Sequence, residues 1–277
     1  MKPDLLTRLR SNGVLYIFSA AIFIVLLPLY QTFLLTPTGL DTVLAENSTD
    51  RSSSYLAWIS RHILLFVLDR LLLLLAFGLL ISLPFSLYRI IVAQEIMYQQ
   101  ERVTNDDEPE DKSEEQAKNT AITMPDYAWR GKGFAVLAAW ASMFGLAIYL
   151  LGTLASTLYL VITSRTLSPG SAIPDTVANL SGLFAVSTNT IGIGLLGLGV
   201  LFFGAMITRT GAHLWPRAWV LFGYAGLLVG ALLCISAVAV ATTPGSGQSF
   251  LTTVATLLFA FWVLWLSLML IRLKAEA

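Results

Sequence analysis

Six long runs without charge constrain this chain more than any other feature. Residues 14–35, 71–88, 134–163, 190–208, 218–241 and 251–271 are each mostly apolar. A helix of about 20 such residues crosses the hydrocarbon core of a bilayer, and only helices or closed barrels satisfy their backbone groups there. The expected fold is therefore all-α: a polytopic integral membrane protein of six transmembrane helices paired as three hairpins. Composition agrees. Of 277 residues, 56% are hydrophobic and 12% charged, and the mean hydropathy is +0.74. A soluble globule has no means of hiding that much apolar surface, so the first partner is the lipid bilayer. The basic stretch from Met1 to Arg10 followed by an apolar run has the outline of a signal peptide. The run from Val14 to Leu35 exceeds the usual apolar length of about 7–15 residues, which makes it a retained anchor.

Lysine and arginine set the expected orientation. With the N-terminus inside, the inner segments hold thirteen basic residues and the outer loops three, Arg51, Arg61 and Arg165. Both termini are thus expected in the cytoplasm, in a plasma (inner) membrane. The net charge is zero, so no global field selects nucleic acid. Cys234 is the only cysteine and lies in an apolar run, which excludes an internal disulfide and reads as packing.

The chain divides into a two-helix part (1–93), an acidic loop (94–133) and a four-helix part (134–277). Seven acidic residues crowd the loop's stretch from 106 to 115: Asp106, Asp107, Glu108, Glu110, Asp111, Glu114 and Glu115. Such a run buries too little apolar area to offset its ordering entropy, so disorder is expected. It reads either as a solvated linker or as a docking segment, within 104–118, for a basic cytoplasmic protein. The segment 168–189 is semi-apolar and reads as an outer surface loop or a re-entrant dip. The three hairpins share basic inner ends, which fits either an internal repeat or the common need of all spans for such ends.

Asp69 and Arg70 interrupt the leucines of the second span. Adjacent helical residues lie about 100° apart and do not face each other. Two registers fit. A membrane core from Leu71 to Tyr88 is about 27 Å long and puts both charges at the head groups. A core from His62 to Pro84 places them about 10 Å inside, where unpaired charges are costly and functional roles are the default.

Other motifs reduce to packing. Gly192 to Gly197 spells G-x-G-x-x-G but has no preceding strand, so the dinucleotide reading fails. On a helix, Gly194, Gly197 and Gly204 share one face, and Gly192 and Gly199 lie nearly opposite. Small residues let helices approach closely, so the fourth span is expected to be central. Asn179-Leu180-Ser181-Gly182 suggests a serine nucleophile, but the sixth span has no histidine, and His62 and His213 are expected near opposite faces. Two histidines and one cysteine support no metal or haem site, and no cofactor is expected. Trp58, Trp129, Trp215 and Trp219 read as interfacial anchors; Trp140, Trp262 and Trp265 are expected between helices.

No catalytic constellation is present, so an enzyme is not expected. The leading reading is a non-catalytic scaffold, accessory subunit or regulator in a membrane complex, with other membrane subunits or its own copies as partners. The alternative is a transporter or channel for a small solute. Its polar groups would be Tyr30, Gln31, Asp69, Arg70, Ser82, Ser86, Thr153, Ser156 and Thr157, although a membrane Ser or Thr often bonds its own backbone. Charges deep in the membrane and turned into the bundle favour transport; charges at the head groups favour the scaffold.

Overall fold

The computed structural model describes residues 3–45, 48–106, 126–166, 174–211, 215–242 and 250–273, and every regular element among them is helical. Six helical segments are long and apolar enough to cross a membrane: Leu6–Thr38, Ile63–Gln94, Gly133–Thr166, Asn179–Arg209, Arg217–Thr242 and Leu251–Arg272. They are called here the first to sixth spans, and they are the make-up of a multi-pass integral membrane protein.

Proline shapes the first two spans. In the first, the turn before Pro28 widens into a π-helix, Ile22–Leu26, which relieves the clash of the proline ring with the preceding turn. A second π turn, Gln31–Leu35, follows, and the rod stops at Gly39 with φ 81°. The second span is broken. Its first helix, Ile63–Gly78, ends in tight turns, and a new helix begins at Leu83, just before Pro84. Proline at 84 has no N–H and crowds the carbonyl of Leu80, so the chain turns there instead of continuing straight.

Two boundaries differ from expectation. The helix leaving the second span runs to Asp106 and the next begins at Asp126, so 94–106 and 126–133 are helical. Residues 107–125, with six of the seven acidic side chains, lie outside the described residues. At the start of the fourth span, Asp175–Ala185 is α-helical and Val186–Gly192 is a π turn that leads directly into Ile193–Thr210. Val177, Leu180 and Phe184 recur at helical spacing, so this part of 168–189 is a helix and not an irregular loop.

The fourth span packs between the third and the fifth, and the first packs along the sixth. One core joins them through Tyr16, Leu83, Leu146, Phe203, Phe222 and Phe259, all at most 1% exposed. A smaller core forms where the connecting helix Ser48–Arg61 folds over the end of the third span. There Leu35, Trp58, Ile59 and Phe66 meet Leu160 and Val161. Large apolar side chains such as Leu64, Leu151, Ile162 and Val238 point outward, as acyl chains require. Trp262 is buried and donates its indole N–H to the Phe222 carbonyl at 3.2 Å. Trp140, expected between helices, is instead 53% exposed and stacks on Phe144 along the outer surface.

Candidate functional site

A stripe on the first span organises the candidate site. Asn12, Tyr16, Ser19, Phe23, Leu27 and Tyr30 follow one another at spacings of three and four, so they share one helix face. That face meets the second span. Asn12 Nδ2 donates to Ser86 Oγ at 2.9 Å, and the Tyr16 hydroxyl lies 2.9 Å from both Ser82 and Ser86 Oγ. Ser82 and Ser86 are thus bound to the first span around the helix break.

The break itself generates a polar need. Leu80 N–H donates to Phe77 O at 3.0 Å rather than back to Ala76, which releases the Ala76 carbonyl. Ser19 Oγ, fully buried, donates to that carbonyl at 2.8 Å. A carbonyl left unpaired in hydrocarbon would cost several kcal/mol, and this serine satisfies it.

An aromatic layer follows. Phe77 packs edge-on against Phe23 with centroids 4.9 Å apart, against Tyr149 at 4.1 Å and parallel to Phe259 at 6.5 Å. Four spans therefore meet at one phenylalanine.

Beyond this layer lies the charged pair. Asp69 is 8% exposed, and Gln31 Nε2 donates to its Oδ1 at 3.3 Å. The Tyr30 hydroxyl donates to Leu65 O at 2.9 Å and lies within electrostatic reach of Asp69. Arg70 is partly buried, with its guanidinium carbon 5.3 Å from the centre of the Phe66 ring, an attractive cation–π geometry. Tyr55, from the connecting helix, and Tyr149, from the middle of the third span, interact with the Arg70 charge. The two charges also interact with each other. Both are turned into the bundle, and the rod that carries them begins at Ile63.

The remaining polar residues of the third span behave differently. Ser156 and Thr157 both donate to the Thr153 carbonyl, at 3.0 and 2.6 Å, so their hydroxyls are engaged with their own helix. The buried Thr153 faces Tyr149.

The five glycines from Gly192 to Gly204 occupy two interfaces. A Cβ on Gly204 would stand 2.7 Å from Gly223 O, one on Gly197 2.8 Å from Leu233 Cβ, and one on Gly194 3.4 Å from Ala237 Cβ, all on the fifth span. A Cβ on Gly192 would meet the Tyr149 backbone at 3.1 Å, and one on Gly199 would collide with Ser142, both on the third span. The partner helices reply in kind with Gly145, Gly223, Gly226 and Gly230. Cys234 packs here too, its Sγ 3.7 Å from the Gly194 carbonyl.

Of the other residues singled out, Ser181 donates to Val177 O at 2.7 Å, and His62 marks the junction before Ile63 with its ring 5.5 Å from Trp58. Asp106 closes its helix, while the remaining acidic candidates and His213 lie outside the described residues. Among the described residues no cluster of His, Cys, Asp and Glu suits a metal ion. No protein-family model, curated protein or solved structure matches the chain.

Asn12, Tyr16, Ser19, Tyr55 and Tyr149 are the site residues not read from sequence. The first three were accessible through their spacing on one apolar helix. The two tyrosines were not, because only tertiary packing brings them to Arg70.

Proposed function

We propose that this chain is a transport protein that moves a small solute along the seam between its first, second and third spans. The observation that carries the reading is the inward-turned pair Asp69 and Arg70, gathered with Gln31, Tyr55 and Tyr149. Charges inside a membrane bundle are costly to keep and mark solute or ion paths by default. A broken helix with polar contacts on both sides of an aromatic layer fits alternating access, in which a discontinuous span rearranges around a fixed site.

In this reading both termini face the cytoplasm and the chain sits in the plasma membrane as three hairpins. The asymmetry of thirteen inner against three outer basic residues supports that placement. So does the bond from Arg10 Nε to the Leu273 carbonyl at 3.1 Å, which ties the start of the first span to the end of the sixth.

The test is osmotic swelling of lipid vesicles containing the full chain, followed by light scattering. The probes are glycerol, urea, glycine, nitrate and methanesulfonate. Faster swelling than in empty vesicles for at least one probe is expected, with Arg70→Gln lowering the rate at least tenfold. Equal rates for every probe would defeat the transport reading and return the chain to the scaffold or accessory-subunit class.

A further inference from the structure

The charged pair carries a statement about what moves. Asp69 is the only carboxylate in the six spans, and Arg70 follows it in the chain; Arg89 is the other cation of the second span. Gln31 of the first span donates to Asp69, and Tyr30 of the first span, Tyr149 of the third and the adjacent Arg70 lie within electrostatic reach of it. Within electrostatic reach of Arg70 are Asp69, Tyr149 and Tyr55. Asp69 and Arg70 are thus the only opposite charges in this group.

The inventory of hydrogen-bonding groups is unbalanced. Gln31 gives its amide N–H to Asp69, the Tyr149 hydroxyl is paired with Thr153, and the Tyr30 hydroxyl is spent on Leu65 O. Arg70, hydrogen-bonded to Tyr55, brings five N–H donors and no acceptor. A partly buried guanidinium of this kind suits an anion.

The charges then dictate a coupling. With Asp69 ionised, the pair is neutral and an arriving anion would add a net charge in a poorly solvated place. With Asp69 protonated, Arg70 is uncompensated and an anion restores neutrality. We propose that this site loads one proton, on Asp69, together with one small monoanion, on Arg70, so that the two cross as an electroneutral pair. This rests on the transport reading above. The balance is simple: one proton and one negative charge enter from one side and leave on the other, and no covalent bond changes.

The experiment uses the full chain in vesicles enclosing a pH-sensitive dye, with an inward gradient of nitrate or methanesulfonate. Both are anions of strong acids and carry no proton across lipid as neutral molecules. Acidification of the lumen is expected, at a rate unchanged when valinomycin and potassium set the membrane potential. Asp69→Asn should slow acidification at least tenfold while labelled nitrate still enters, and Asp69→Glu should restore it. Arg70→Gln should stop both. Each variant is first checked for monodisperse elution and an unchanged unfolding midpoint. Nitrate entry without acidification, equal in the native chain and Asp69→Asn, would overturn the coupling and leave transport standing. Entry of neutral probes alone would overturn the monoanion assignment. Entry of none would remove both readings.

Discussion

Ser19 shows how one hydroxyl can hold a distorted helix. It donates to the carbonyl that the break at Gly78 releases, so its loss leaves a buried acceptor with nothing to replace it. Ser19→Ala is expected to lower stability by about 1–2 kcal/mol, read from the unfolding midpoint in detergent; an unchanged midpoint would show the carbonyl finds another donor. Ser142 is the opposite case. Its hydroxyl is buried against Gly199 without a partner, so Ser142→Ala should be neutral or raise stability by up to about 1 kcal/mol. At Gly204, where a Cβ would stand 2.7 Å from the Gly223 carbonyl, Gly204→Leu should cost about 1–3 kcal/mol or more. Gly182→Ala, with nothing within 4 Å, should cost nothing. Indistinguishable midpoints for the two glycine variants would contradict the packing described. At this scale the sequence was informative wherever a residue's partners were set by helix periodicity, as for the five glycines from Gly192 to Gly204. It was silent about Tyr55 and Tyr149, whose relation to Arg70 depends on how separate helices cross.

At the scale of elements, hydropathy located all six spans because burial in lipid is a demand on whole runs of residues. The ends were less legible. Asp69 and Arg70 cut the second run short in any count of uncharged residues, whereas the helix begins at Ile63, before them. The helical start of the fourth span, Asp175–Ala185, was hidden by its Asn, Ser and Gly content, although its apolar residues keep helical spacing. The two prolines act on neighbouring elements in different ways: Pro28 is absorbed by a π turn, and Pro84 accompanies an interrupted rod. Replacing Pro84 by alanine returns the missing N–H and removes the ring clash, so the second span should straighten. Spin labels at Leu71 and Arg89 should then report a longer distance than in the native chain, and transport should fall with it. An unchanged distance would mean that the turn at 79–82 is held by Tyr16 and Ser19 rather than by proline.

For the whole molecule, the testable statement is which end of the bundle faces which compartment. Reporter fusions after Ala277 and within 107–125 should be active in the cytoplasm, and fusions within 167–173 and 243–249 should be active outside. A cytoplasmic signal from 243–249 would invert the proposed topology. The packing adds a condition that no single helix reveals. The first span lies along the sixth, with Gly13 so close to it that a Cβ would stand 3.1 Å from Leu270, and Arg10 reaches the Leu273 carbonyl. These contacts join the first of the six spans to the sixth, which is synthesised later. A ribosome adds about 5–20 residues per second, so the first span waits about 10–50 s for that neighbour. During that interval Gly13 and the residues beside it face lipid or an insertion chaperone. Ring closure is therefore a late event of biogenesis, and a chain that stalls before residue 250 would present an open seam for quality-control proteases to recognise.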